Sequence, residues 1–222
     1  GTFAGGYYMR SSIGRIDTDM LNLFFPMMVG LFILLAVKAK TERKVLLYSI
    51  AAGLSIFLFQ WWYSHSGFAL AYFMVLVLSL FVQRIRLQSI LFGAFLFVLC
   101  SEPLSIMDGT SSVKGFLGSY LIIEESNIVL NDSKTNPAIF PNTITTISEA
   151  NKIPIKEVFR RVLSNTTLGW IGFLGFFGLA IFKWRVLLPL APILVLGVLS
   201  FKSSNRFIMY LGPFIGIGLG CL

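Results

Sequence analysis

Seven apolar stretches, at about 20–37, 45–62, 68–83, 88–106, 167–182, 186–201 and 207–222, approach the roughly 20 residues that a helix needs to cross a bilayer. A chain built of such stretches has to bury them in lipid or in one another. Composition agrees: of 222 residues 56% are hydrophobic and only 13% charged, and 22 are Phe. Those proportions exclude an ordinary water-soluble domain, a disordered tail and, despite a net charge of +8, a nucleic-acid module. The expected fold is an all-α polytopic membrane protein with about seven transmembrane helices.

The connections Lys38–Lys44, Arg84–Arg86 and Lys183–Arg185 hold eight of the eighteen basic residues. The positive-inside rule makes those three loops cytoplasmic. Alternation then places 1–19, the turn Tyr63–Gly67, the long stretch 107–165 and the link Lys202–Arg206 on the outer face. Eight of the ten acidic residues lie in those segments and a ninth, Glu102, sits near the outer end of the span 88–106, which leaves only Glu42 on the other side. Gly1 in place of Met, with no charged n-region and cleavage site, leads to the expectation that both ends are cuts within a longer polypeptide. Cys100 and Cys221 lie in apolar runs and offer neither a metal spacing nor a disulfide framework.

A connection of nearly sixty residues between two spans is too long for a simple connector. Its first part, 107–145, is rich in Ser, Thr, Asn, Gly and Pro and reads as irregular. Further on, Ile155, Val158, Phe159 and Val162 share one helical face behind Pro154, which suits a first turn. This predicts a short helix lying on the membrane surface, with Arg160 and Arg161 off its apolar stripe and free to meet an anion or lipid headgroups.

Asp17-Thr18-Asp19 precedes the first span, behind Arg10 and Arg15. Two carboxylates one residue apart can approach one hard divalent cation, which prefers oxygen ligands. Taken alone, the pair serves equally as a cap for the helix beginning near Met20. Glu149, in Thr146-Ile147-Ser148-Glu149, is taken alone a solvated charge. His65 is the single histidine and cannot form a metal site by itself, and Trp61, Trp62 and Tyr63 read as an interfacial aromatic belt. The sequons Asn131-Asp132-Ser133 and Asn165-Thr166-Thr167 are short enough to arise by chance.

Taken together, Tyr7-Tyr8-Met9-Arg10-Ser11, Asp17-Thr18-Asp19-Met20-Leu21, Trp61-Trp62-Tyr63-Ser64, Thr146-Ile147-Ser148-Glu149, Arg160-Arg161 and Arg206-Phe207 resemble the bacterial single-subunit oligosaccharyltransferases of the PglB type, related to the eukaryotic catalytic subunit. The resemblance is best over 1–37 and 140–215. Over 68–135 it rests on hydropathy, and that middle looks shorter than is usual in the family, as if one pair of spans were missing.

The resemblance implies that 1–222 is a fragment of the transmembrane catalytic domain of a C-type glycosyltransferase, its outer loops at 1–19 and 107–165 carrying the acidic and TIxE motifs. It implies that Asp17 coordinates a metal, Mn²⁺ or Mg²⁺, that Asp19 supports it and that Arg10 braces the acidic cluster. Glu149 matches the glutamate that contacts both the metal and the acceptor amide. Arg161 matches the arginine that pairs with an acid two residues before the acceptor asparagine, and Arg206 the one that holds the donor's pyrophosphate. Tyr63 aligns with a loop near that pyrophosphate.

The implied function is transfer of a glycan from a lipid-linked oligosaccharide, on a polyprenyl pyrophosphate, to Asn of D/E-x-N-x-S/T acceptor peptides or proteins with inversion at the anomeric carbon. The implied location is the bacterial inner membrane, with the site on the periplasmic face and no nucleic-acid partner. An acidic loop upstream of Gly1 and a soluble domain with a WWDYG motif downstream of Leu222 are further expected parts, so this fragment alone is expected to be inactive. Two rivals are another membrane glycosyltransferase using polyprenyl-phosphate sugars and a polytopic transporter. The TIxE motif with Arg161 argues against the first. Spans nearly free of ionisable residues, Glu102 being the main exception, argue against the second.

Overall fold

Leu, Ile, Phe, Val and Ala fill the apolar stretches on every side, and a stretch of that kind satisfies its backbone in lipid only as a helix. The computed structural model describes residues 19–63, 66–121, 154–163, 165–201 and 207–221, with no strand among them. The helices are α1 (Asp19–Asn22), α2 (Phe24–Lys38), α3 (Glu42–Trp62), α4 (Ser66–Val82), α5 (Leu87–Cys100), α6 (Pro103–Leu121), α7 (Ile155–Leu163), α8 (Thr166–Leu187), α9 (Ala191–Leu199) and α10 (Ile208–Gly220). A 3-10 turn, Leu188–Leu190, joins α8 to α9. Large apolar side chains such as Leu47, Phe57, Leu91, Phe95, Phe177 and Phe182 are exposed on the outside of these helices. An apolar exterior of this extent belongs in a membrane.

The bundle is held by shape rather than by a difference in polarity, since lipid is as apolar as the core. Pro26, Tyr72 and Phe59 show how α2, α3 and α4 meet. The buried Tyr72 hydroxyl donates to the Pro26 carbonyl at 2.8 Å, and the Phe59 ring lies 6.1 Å from Phe25 and 5.0 Å from Phe68. Between α3 and α5 the backbones come close at glycines. A Cβ on Gly93 would stand 2.9 Å from Ser49 Oγ, and one on Gly53 would stand 2.8 Å from the Phe97 carbonyl oxygen. These pairs and the Glu42–Arg86 ion pair at 2.9 Å share one offset of 44 residues, the register of two parallel helices.

Two helical segments are long and apolar enough to cross a membrane, Glu42–Trp62 and the 34 residues Thr166–Leu199, and four more apolar helices are 10–17 residues long. Seven full spans are thus not what the described residues present. The 34-residue segment is itself folded back, because the Phe173 and Phe201 rings lie 5.6 Å apart. A straight helix would separate them by about 42 Å. The chain breaks at Lys183 (φ −120°, ψ 29°) and returns through the 3-10 turn and α9. The loop expected at Lys183–Arg185 is therefore a break within a nearly continuous helical path.

The expectation for 88–106 and 107–145 also needs correction. Helix α5 stops at Cys100, Glu102 takes a left-handed φ of 68°, and Pro103 starts α6, which stays helical to Leu121 despite its Ser and Gly content. Packing on α4 overrides the weak propensity, with Val113 set against Gly67. The outer stretch drawn from 107 thus begins as helix, and its part over 122–153, with Glu149, lies outside the described residues.

Candidate functional site

The three basic connections gather at one end of the bundle. Arg86 Nη1 is paired with Glu42 Oε1 at 2.9 Å, and Arg84 lines the same groove as Arg185. Helix directions then send Phe24, Trp62, Thr166 and Leu199 to the opposite end. Of the candidate residues, Asp19, Tyr63 and Arg161 fall at that opposite end. Arg10, Asp17, Glu149 and Arg206 lie outside the described residues.

Asp19 is the first residue of α1, which packs on α2 and α3. Tyr63 closes α3, its N–H donating to the Phe59 carbonyl at 2.7 Å and its half-buried ring 6.4 Å from Phe59. Phe207, the chain neighbour of Arg206, is buried with its ring 6.4 Å from Tyr210.

Arg161 sits on α7, the helix expected from the apolar stripe of 155–163. Most of that stripe is covered by protein rather than by a membrane surface, with Ile155 left 47% exposed. Val158, Phe159 and Val162 are buried against α8 and α10, where Ile208, Leu211 and Ile215 complete the cluster. Phe159 is the anchor, with ring centroids 4.6 Å from Trp170, 5.8 Å from Phe173 and 5.5 Å from Phe201. A Cβ on Gly169 would stand 2.8 Å from Phe159 Cβ, so the glycine is what lets α7 approach α8. Asn165 Oδ1 caps α8 by accepting from the Thr167 N–H at 2.9 Å, which gives this sequon asparagine a structural role.

The two arginines are not free, as the sequence suggested. Glu157 Oε1 accepts from Arg160 Nη2 at 2.9 Å and from Arg161 Nε at 3.2 Å. These hydrogen bonds, from Arg160 first and Arg161 second, hold the Glu157 carboxyl below its ordinary value. Glu157 escaped the sequence reading, although its position three and four residues before the arginines is the arrangement in which a helix pairs charges. Both arginines remain accessible enough to exchange this partner for another carboxylate. Among the described residues no group of three or more His, Cys, Asp or Glu is placed to hold a metal ion.

Comparison with known proteins covers nearly the whole chain. The family model described as "Oligosaccharyl transferase STT3, N-terminal" matches residues 2–221. Two curated relatives from Campylobacter jejuni, strains RM1221 and NCTC 11168, each named "Undecaprenyl-diphosphooligosaccharide--protein glycotransferase", are 28% identical to the chain over 262 residues. The alignments cover 99% of this chain and 35% of each relative, so the chain spans about a third of their length. Because the aligned region runs to 262 positions and the chain has 222 residues, the relatives carry at least forty residues there without a counterpart.

Proposed function

The chain belongs to the STT3 family of oligosaccharyltransferases, and on that premise we propose that it is part of an enzyme that moves a preassembled glycan from a polyprenyl pyrophosphate to the asparagine of D/E-x-N-x-S/T acceptors. The observation that carries this reading is the family match along nearly the whole chain, residues 2–221. The relatives' names describe a transfer from an undecaprenyl-diphospho-oligosaccharide to protein, which supports this reading. A lipid donor suits a site at the ends of membrane helices, in a multi-pass protein of the bacterial inner membrane with its site on the periplasmic side.

An amide nitrogen is a poor nucleophile because its lone pair is delocalised into the carbonyl. In this reading Glu149 accepts the acceptor's amide N–H and loosens that conjugation. Asp17, supported by Asp19 and braced by Arg10, holds a divalent cation together with Glu149. These donors are all carboxylates, and an all-oxygen set fits Mg²⁺ or Mn²⁺. When bound, such an ion offsets negative charge developing on the leaving pyrophosphate. Arg206 holds that pyrophosphate as a fixed cation, with Tyr63 near it. Arg161 gives up Glu157 for the acid two residues before the acceptor asparagine, a bidentate contact for which a guanidinium is suited.

The reading is tested by incubating the full-length polypeptide with lipid-linked oligosaccharide and a fluorescent D-x-N-x-T peptide. Formation of glycopeptide, lost when the acceptor Asn is replaced by Gln, is the expected result. Release of free glycan or no reaction with any lipid-linked donor would contradict it.

A further inference from the structure

At the basic end of the bundle α4 terminates in a Schellman cap. The Ile85 N–H donates to the Leu80 carbonyl at 3.2 Å and the Arg84 N–H to the Phe81 carbonyl at 2.9 Å, which puts Arg84 at the residue just past the helix, with φ 56°. Glycine is the residue that this left-handed position favours, because any Cβ there crowds the backbone. Nothing in the cap needs a side chain at 84: both cap bonds are made by backbone, and the accompanying apolar contact comes from Ile85, packed against the core that holds Leu80. An arginine kept in a glycine's conformation points to a use for its guanidinium.

Arg84 opens onto a groove of about 620 Å³ whose other lining includes Arg185, Trp184, Phe81 and Leu87. The Arg185 guanidinium carbon lies 5.5 Å from the centre of the Trp184 ring, and Phe81 and Leu87 are 68% and 66% exposed. Arg86, next in line, is taken by Glu42. Among the described residues neither Arg84 nor Arg185 makes an ion pair. The groove therefore offers two available guanidinium groups beside an apolar wall, at the end of a helix bundle whose exterior is lipid-like.

We propose that this groove binds an anionic phospholipid, its phosphate between Arg84 and Arg185 and an acyl chain along Phe81, Leu87 and Trp184. A small anion would leave the apolar wall unused, and a zwitterionic lipid would bring its own cation against two arginines. Guanidinium groups take phosphate oxygens in pairs, and basic pockets between membrane helices suit lipid phosphates.

The test is native mass spectrometry of the full-length polypeptide in non-ionic detergent, titrated with phosphatidylglycerol, phosphatidylcholine or inorganic phosphate, together with thermal unfolding. Phosphatidylglycerol should bind its first site on the order of tenfold more tightly than phosphatidylcholine, the scale of one charge-assisted hydrogen bond. Arg84→Gly should raise Tm, because it relieves the left-handed strain, and yet remove that preference. Arg185→Gln should also remove it, whereas Arg43→Gln, which takes one charge from the same end outside the groove, should leave it intact. Equal binding of the two lipids, displacement of phosphatidylglycerol by equimolar inorganic phosphate, or a preference that survives Arg84→Gly would each overturn the proposal. So would an Arg84→Gly protein with lowered Tm, since the arginine would then be serving the cap.

Discussion

Arg161 Nε lies 3.2 Å from Glu157 Oε1, and the same oxygen accepts from Arg160 at 2.9 Å. One carboxylate thus occupies the two arginines, and on the proposed reading an acidic acceptor would compete with it for Arg161. Glu157→Gln removes the competitor and should raise the preference for D-x-N-x-T over A-x-N-x-T peptides. Arg161→Ala should abolish the preference, a loss of about 1–3 kcal/mol as for a hydrogen bond to a charged group. Arg160→Ala leaves Glu157 wholly to Arg161 and should lower it modestly. Relative kcat/KM for the two peptides checks the order of the four proteins.

The same triad makes a pH prediction. Glu157 has its carboxyl held below the ordinary value of 4.5, so the pairing stabilises α7 in full above that value. It is lost as pH falls below 4.5 and through the depressed folded value. Hydrogen exchange of α7 amides should therefore be independent of pH-induced opening from pH 7 to 5 and accelerate, beyond the intrinsic rate change, only in more acid solution. In Glu157→Gln that acid acceleration should disappear.

Phe159 fastens α7 to α8 and to Phe201 just past α9, so Phe159→Ala should cost about 3–5 kcal/mol locally, as large-to-small core changes do. Transfer to acidic and neutral acceptors should fall together, in contrast to the selective loss expected for Arg161→Ala. Peptide kinetics and hydrogen exchange on one preparation distinguish the two.

Glycines supply a matched pair of stability tests. A Cβ at Gly172 would stand 2.7 Å from the Ile215 carbonyl oxygen, whereas one at Gly178 on the same helix would meet nothing within 4 Å. Gly172→Ala should lower stability by about 1–3 kcal/mol. Gly178→Ala should be neutral or gain up to about 1 kcal/mol in helix propensity. Thermal unfolding in one detergent reads both.

Apolar stretches and basic clusters made much of this fold legible in the sequence. The helices over 20–37 and 45–62 and the shared end of the Arg84–Arg86 and Lys183–Arg185 connections follow from them directly. The break at Glu102 did not, because that residue takes a left-handed conformation without the Gly that usually marks such a place. Polar composition disguised α6, whose partner α4 overrides its propensity. For α7 the stripe gave the helix and its face, but only the cluster with Trp170, Phe173 and Phe201 decides that protein rather than lipid covers it. At the site, Arg10, Asp17, Glu149 and Arg206 rest on motif order alone and lie outside the described residues, whereas Glu157 needed the helix geometry before its hold on Arg161 was visible.

Metal dependence tests the central claim most directly. Glycan transfer by the full-length polypeptide should stop on chelation with EDTA and return with Mn²⁺ or Mg²⁺ but poorly with Zn²⁺, because Asp17 and Glu149 offer oxygen only. Asp17→Ala and Glu149→Ala should each lower turnover far more than expression. Full transfer in a chelated, metal-free preparation, or undiminished turnover in both variants, would contradict the assignment of these carboxylates as the reactive centre.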